Sequence, residues 1–406
     1  MKKIAVLGYG NIGSGVVEVI RRNQDIIAKR VGEAVEVKYV LDLRDFPGDP
    51  MEHKVVHDIG TIVNDPEIEI ICETMGGNEP AFTFSKKALE QGKSVCTSNK
   101  ELVANHGPEL LELAAKNHCN YMFEASVGGG IPIIRPMNTA LAPEKMEAIT
   151  GILNGTTNYM LTEMEQKGTA YEDVLRQAQE LGYAERNPEA DVEGYDAGRK
   201  IAILCSLMAG KNVKYEDVYT EGITKLTAAD FKYANKLNMS IKLLAMGKLA
   251  GADENGEETY VAMVAPCMLA ASHPLSTVNE VFNAIFVKGN LLGETMYYGK
   301  GAGKLPTASA VVSDVIDCAR HKGETMPCLW KNENVKMADM MDTRKRFFFR
   351  IKLEDAAKAA DLFGSLARVD AGVTGECGYL TEMMTERTFA EKQKEVAMLG
   401  RIRVEA

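Results

Sequence analysis

The chain has 406 residues, 46% of them hydrophobic and 26% charged, which is ordinary soluble globular usage and more than one domain holds, so two or three domains are expected. A net charge of −10, with no Lys/Arg block longer than Arg344-Lys345-Arg346, leaves no footprint for nucleic acid. Eight cysteines without a C-x-x-C pair read as reduced thiols, and no apolar run approaches the ~18 residues of a membrane span, so a soluble cytoplasmic protein with no membrane partner is expected.

The first predicted element is a strand, KIAVLG, followed at once by Gly8-Tyr9-Gly10-Asn11-Ile12-Gly13 and the helical pattern VVEVIRRNQDII. Strand, glycine turn, helix is the order that grips a dinucleotide: Gly8 permits the turn, Gly10 lets backbone approach a pyrophosphate, and Gly13 lets helix and strand pack closely. The helix N-terminus then faces the anion. The second strand, VEVKYVL, ends at Leu41-Asp42-Leu43-Arg44, where an adenosine ribose is expected. Asp42 suits the 2′-hydroxyl of NAD and Arg44 the 2′-phosphate of NADP, so the two residues point to opposite cofactors.

Further α/β alternation follows. IEIIC (68–72) leads into Glu73-Thr74-Met75-Gly76-Gly77 and the helix PAFTFSKKALEQG; SVCT (94–97) leads into Ser98-Asn99-Lys100 and the helix ELVANHGPELLELAAK; NYMFEAS (120–126) comes next. The pattern predicts a doubly wound, Rossmann-type sheet whose ligands lie at the carboxyl ends of its strands, which is where Lys100 falls. Without that placement Lys100 would read as a solvated helix-start lysine. Glu124, ahead of a glycine-rich turn at 126–131, offers a carboxylate and free carbonyls to a hard monovalent cation.

From about residue 135 the pattern changes to α+β. A strand over EAITGIL runs into Asn154-Gly155-Thr156-Thr157-Asn158, small and hydroxylated side chains that suit a polar ligand, and two helices follow, the second with a capping box predicted from Thr169 and Glu172. The stretch 178–200, AQELGYAERNPEADVEGYDAGRK, is the densest in chemistry. Asp196 and Lys200 stand four apart, on one face of a helix whose apolar stripe is Ile201, Leu204, Leu207 and Met208, so an acid and an ammonium address one cavity. An arbitrary pair at this spacing is a surface salt bridge. Here Asp191 is placed to cap the helix and Glu185 sits in the loop beside Asn187-Pro188. A second glycine-rich loop, 299–303, precedes the helix PTASAVVSDVIDCARH, which is expected to return to the first domain. Residues 331–345 read as a linker. Beyond it come a strand RFFFRIKL, a helix DAAKAADLFGSLARVD and strands GYLTEMMTER and GRIRVEA, a small α+β appendage without a catalytic constellation. The expected division is 1–134 with the returning segment 300–322 for dinucleotide binding, 135–299 for catalysis and dimerisation, and 345–406 for the appendage.

GYGNIG, ETMGG, TSNKELVA, FEASVGGGIPII, GILNGTTNYML, AQELGYAERNPEADVEGYDAGRK, HPL and GKGAGKLPTASAV resemble, in order and spacing, the motifs of the homoserine dehydrogenase family over residues 1–322. The resemblance implies a homodimer or homotetramer that interconverts L-aspartate 4-semialdehyde and L-homoserine with NADP or NAD, in threonine, methionine and isoleucine biosynthesis. It implies Lys200 as proton donor, Asp196 as holder of the proton network and Lys100 beside nicotinamide and substrate. It also implies Glu185 on the substrate amino group, with Asp191, Gly155 and Thr156 as further substrate contacts. Gly8, Gly10, Asn11, Ile12, Gly13, Asp42, Arg44, Met75, Ser98, Lys100 and Gly303 are the implied cofactor residues, and Glu124, Val127, Gly129 and Ile131 the implied sodium site. The tail resembles an ACT-type module without the usual Pro-Gly after its first strand. A different Rossmann oxidoreductase would share the glycine loop but not the 185–200 motif. A dead nucleotide sensor would lose Lys100 or Lys200. Partial burial near a second cation is expected to lower the Lys200 pKa.

Overall fold

The structure, a computed structural model, describes residues 1–405. Its first sheet grows from the apolar runs of the N-terminal third: β1 (Lys2–Leu7), α1 (Asn11–Arg22), α2 (Gln24–Val31), β2 (Val35–Leu41), β3 (Val55–Val56), α3 (Ile59–Val63), β4 (Ile68–Glu73), α4 (Ala81–Glu90), β5 (Ser94–Thr97), α5 (Lys100–Lys116) and β6 (Tyr121–Met122). All six strands are parallel, in the order β3-β2-β1-β4-β5-β6. The connections therefore wind both ways from β1 and leave a crevice at the carboxyl ends of β1 and β4. Strands this apolar need cover on both faces. Val16, Ile20 and Ile27 of α1 and α2 lie over Ile4, Val6 and Val40, while α3, α4 and α5 cover Ala5, Leu7 and Ile71.

The chain then runs through α6 (Ile134–Asn138), β7 (Met146–Ile152), α7 (Gly155–Lys167), α8 (Tyr171–Glu180), α9 (Glu189–Val192), α10 (Tyr195–Ala209), β8 (Lys211–Asn212), β9 (Tyr219–Thr220), α11 (Ala228–Lys236), β10 (Met239–Ala252), β11 (Glu258–Ala270), β12 (Phe282–Gly289), β13 (Gly293–Lys300) and α12 (Lys304–Arg320). The long β10-β11 hairpin, paired from Met239↔Ala270 to Ala252↔Glu258 with a bulge between Leu249 and Gly251, is the spine of a second, mixed sheet. Met160, Leu161, Val174, Ile201, Leu204 and Phe231 from α7, α8, α10 and α11 share its core. Helix α12 packs on the first sheet: Ala308, Val311 and Val315 join Val16 and Ile20, and Cys318 Sγ lies 3.6 Å from Cys96 Sγ.

Four local expectations are corrected. The box predicted from Thr169 and Glu172 does not form, because α8 starts one residue later, with Ala170 extended at its N-cap and no side-chain cap; a capping box does form at Thr227 and Asp230, heading α11. Residues 331–345 are not a free linker: β14 (Lys331–Asn334) pairs with β8 and β15 (Lys336–Met337) with β11. Strands this short are held by a neighbour's backbone, so their own side chains show no periodicity. The tail comprises β16 (Arg344–Lys352), α13 (Ala356–Phe363), β17 (Leu366–Val369), β18 (Glu376–Thr381), β19 (Met384–Thr385), α14 (Glu386–Gln393) and β20 (Met398–Glu405). The helix expected through Asp370 stops at Phe363, where Gly364 takes φ +74°, and the strand expected through Arg387 gives way to α14.

The main tail strands stand in the order β20-β16-β18-β17, and β20 pairs in parallel with β11 from Cys267↔Arg403 to Leu269↔Glu405. The tail sheet thus continues the central one. Both faces of β16 are covered, as alternation demands: Phe347 and Phe349 pack with Phe363 and Phe389 of α13 and α14, and Phe348 on the opposite face meets Tyr233 of α11. Arg350 reaches Asp230 at 2.8 Å and Glu376 at 2.6 Å, and Arg403 reaches Glu386 at 2.5 Å and Glu221 at 2.7 Å.

Candidate active site

The cleft at the end of β1 is shaped for a dinucleotide. Gly10 is the extended N-cap of α1 and brings no side-chain cap, so the first N–H groups of the helix are left for an anion. A Cβ at Gly13 would stand 1.9 Å from the Gly8 carbonyl oxygen and 2.9 Å from the Thr74 hydroxyl, so only glycine allows this turn. A cavity of about 390 Å³ opens beside it, lined by residues that include Gly8, Leu41, Asp42, Arg44, Met75 and Phe84. Asp42 and Arg44, which point to opposite cofactors in the sequence, are bonded to each other: the guanidinium donates at 2.9 Å to each carboxylate oxygen, while the Tyr9 amide donates at 2.8 Å. The Arg44 hydrogen bonds hold the Asp42 carboxyl well below the usual carboxylate range.

Two helix starts from different parts of the chain converge on one buried carboxylate. Asn99 caps α5, its Oδ1 accepting from the Leu102 amide at 3.1 Å, so Lys100 is the first helical residue at the end of β5. Gly194, at φ +83°, starts α10 and puts Asp196 and Lys200 one turn apart. Lys100 Nζ forms an ion pair with Asp196 Oδ1 at 2.8 Å, and Lys200 Nζ donates to Asp196 Oδ2 at 2.6 Å and to the Leu153 carbonyl at 2.7 Å. The pair is therefore no surface salt bridge: the Asp196 side chain is 8% exposed and that of Lys200 12%. Burial alone would raise the Asp196 carboxyl, but the Lys200 and Lys100 ammonium groups outweigh it and hold it well below the usual range. Burial lowers Lys200, with the Lys100 charge adding to it and Asp196 opposing, whereas Asp196 raises Lys100.

Asp191 is not the cap of this helix. It lies in the short α9, and its Oδ1 accepts from Asn154 Nδ2 at 2.7 Å, so its carboxylate faces the cluster. Burial, then the Asp196 charge, raises its pKa. The same Asn154 amide reaches Asp196 Oδ2 at 2.9 Å, and Asn154 Oδ1 caps α7 through the Thr157 amide at 2.9 Å. Asn154, read in the sequence only as part of a stretch that suits a polar ligand, is thus a link between the two carboxylates, a role that sequence reasoning missed. That role depends on where the start of α7 docks. Gly155 and Thr156 open α7 beside it, with the Thr156 hydroxyl donating to the Tyr183 carbonyl at 2.6 Å. Glu185 is exposed and makes no hydrogen bond to the cluster among the described residues; its backbone carbonyl accepts from Gln179.

Met75 lines the dinucleotide cavity, Ser98 lies between β5 and α5, and Gly303 is the N-cap of α12 at φ +121°. The Glu124 carboxylate is occupied by the backbone N–H groups of Ile133, Ile134 and Arg135 at 2.6 to 2.9 Å. The carbonyls of Val127, Gly129 and Ile131 accept no hydrogen bond among the described residues. A Cβ at Gly129 would stand 2.4 Å from the Gly301 carbonyl, so the 126–131 turn abuts the 299–303 loop.

Ammonium groups held on a shared carboxylate beside a dinucleotide cleft suit the interconversion of a carbonyl and an alcohol, the work of a nicotinamide-dependent dehydrogenase. Two family models match the chain, "Homoserine dehydrogenase, NAD binding domain" over residues 8–124 and "Homoserine dehydrogenase" over 132–316. The chain belongs to the homoserine dehydrogenase family. It is 46% identical to a homoserine dehydrogenase of Synechocystis sp. over 322 residues, 78% of this chain and 72% of that protein. The crystal structure of a homoserine dehydrogenase from Thiobacillus denitrificans superposes with a TM-score of 0.89 at 33% identity, covering 99% of this chain and 98% of that one. A hyperthermophilic archaeal homoserine dehydrogenase in complex with NADPH superposes at 0.66 with 27% identity, covering 81% of this chain and 99% of that one.

Proposed function

We propose that the protein interconverts L-aspartate 4-semialdehyde and L-homoserine, with Lys200 passing a proton to and from the substrate oxygen. The carrying observation is the Lys200 ammonium. Of its three N–H donors one is spent on Leu153 and one on Asp196, which leaves one for a substrate oxygen. The nicotinamide, when bound, supplies or takes the hydride. The remaining tasks fall to the chain: Asp196 aims both ammonium groups, Lys100 adds positive charge where an alkoxide develops, and burial makes Lys200 the more ready acid. Asp191 and Glu185 suit the substrate ammonium, and the start of α7 at Gly155 and Thr156 suits its carboxylate. The assay is semialdehyde-dependent oxidation of NADPH and of NADH, run separately and with and without threonine. No turnover with either cofactor would sink the reading.

The finer features are part of the same proposal. Gly8, Gly10, Asn11, Ile12 and Gly13 hold the pyrophosphate, and the Asp42–Arg44 pair meets either ribose, Asp42 taking a 2′-hydroxyl and Arg44 a 2′-phosphate. Three unpartnered carbonyls are the donor set a hard monovalent cation prefers, which supports sodium at Val127, Gly129 and Ile131 with Glu124 bracing the loop. The tail order β20-β16-β18-β17 with two helices supports an ACT-like module. Edge strand β13 exposes Met296 and Tyr298, which supports self-association into a homodimer or homotetramer, checked by light scattering. Free cysteines, all but one buried, support a cytoplasmic setting. No helix among the described residues is long and apolar enough to cross a membrane.

A further inference from the structure

Glu73, the last residue of β4, is fully buried and has no cation within ion-pair distance among the described residues. Burial pushes its carboxyl up to about 7. An apolar residue would fill this place without the desolvation a carboxyl suffers, so what its oxygens touch explains its presence. The Thr97 hydroxyl donates to Oε2 at 2.5 Å and the Met75 amide donates to Oε1 at 2.7 Å. Thr97 Oγ1 in turn accepts from the Asn99 amide at 2.9 Å, and Asn99 both caps α5 and donates from Nδ2 to the Gly77 carbonyl at 2.7 Å. A hydroxyl has one proton. With Glu73 as its acceptor, the Thr97 lone pairs are fixed toward Asn99, and the next residue is Lys100. The neighbouring Thr74 faces the other way, 2.9 Å from the Leu7 and Gly8 carbonyls.

We propose that Glu73 is a positioning residue: through Thr97 and Asn99 it fixes the start of α5 so that Lys100 meets Asp196, and through the Met75 amide it fixes one wall of the cofactor cleft. The inference rests on the reading of Lys100 and Lys200 given above. The two arms are separable. Thr97→Val keeps the shape of Thr97 and removes only the link toward Lys100. Glu73→Leu removes both arms, and Glu73→Gln keeps the Met75 arm through its oxygen while holding Thr97 by the reverse bond, its amide nitrogen donating to Oγ1, which still accepts from the Asn99 amide.

The test uses the full chain with these three variants, measuring kcat, KM and the Kd of NADPH by fluorescence titration. Thr97→Val is expected to lower kcat about tenfold, the scale of a slightly misplaced catalytic group, with Kd within about twofold. Glu73→Leu is expected to lower kcat similarly and also to weaken NADPH, and Glu73→Gln to stay within about threefold of the parent in both. Parent-like kcat in Thr97→Val, or a rise in KM and Kd alone, would overturn the proposal. A second readout needs no turnover: the labelling rate of Lys100 by an amine-reactive reagent, followed by mass spectrometry, is expected to rise severalfold in Thr97→Val as the ammonium slackens from Asp196. An unchanged rate overturns the positioning role even if the parent fails to reduce the semialdehyde, a failure that bears on the reaction instead. Should Glu73→Leu not fold, Thr97→Val and Glu73→Gln carry the test alone.

Discussion

Asp196 pairs with two ammonium groups and accepts from an amide, and most of the site's chemistry turns on how that sharing sets Lys200. Lys200→Ala should lower kcat by ~10² or more with the circular dichroism spectrum unchanged, the scale of a lost general acid. The pH dependence has a fixed sign. Oxidation of homoserine needs neutral Lys200 and reduction needs its ammonium, and burial places that titration below the ordinary 10.5. Oxidative kcat/KM should therefore rise with pH through this pKa while reductive kcat/KM falls. In Asp196→Asn, where the charge that opposes the lowering is gone, any surviving limb should move to lower pH. Glu73 makes a stability prediction. Its folded pKa of about 7 lies above the ordinary 4.5, so its contribution is fully present below 4.5 and is lost as pH rises through 7. Glu73→Gln should gain on the parent by up to about 3 kcal/mol between pH 4.5 and pH 8, read from denaturant melts at both ends. Of these residues, Asp196 with Lys200 was legible because helical spacing is local. Lys100 was legible because strand ends of this sheet type converge. The roles of Asn154 and Glu73 were not, since Asp191 and Asp196 for the one and Thr97 for the other come from chain segments that only tertiary docking brings near.

At the scale of elements, the α5 and α10 starts are set by different devices, an Asn99 cap and a left-handed Gly194, and both leave the first turn free to face the cleft. The strands and helices with strong periodicity in the first sheet could be read directly. Those in the tail could not: Leu366–Val369 is four residues behind a helix and reads as its continuation until Gly364 turns the chain. The Arg350–Asp230 pair that locks β16 to α11 was equally invisible, because two charged residues far apart in sequence carry no pattern. Both partners are almost wholly buried. Arg350→Met should destabilise the protein by about 3–5 kcal/mol, since it strands the Asp230 carboxylate, while kcat stays within about twofold, because no site residue touches the pair. Thermal melts beside steady-state rates check both halves.

For the whole molecule, every proposed catalytic residue precedes position 322, and on sequence alone a chain ending near Asn334 keeps the active-site inventory. The structure alters that expectation. Such a chain loses β20 from the edge of β11 and leaves Glu221 without Arg403 and Asp230 without Arg350. It should show a broad, low-temperature melt and a tendency to aggregate, and its turnover should fall with its folded fraction; a cooperative melt near that of the full chain would show that the central sheet stands without the tail. The parallel β11–β20 pairing also bears on how the fold is reached. Arg403 meets Glu221 across 182 positions, so the central sheet stays incomplete until residues beyond 400 have left the ribosome. The first sheet waits likewise for α12 to complete the cover that α1 and α2 begin on one face. A topology this rich in non-local contacts should refold slowly and through a populated, sticky intermediate. Stopped-flow refolding should show a burst phase followed by a concentration-sensitive slow phase, and chaperones should raise the yield more for this chain than for a domain of local helices.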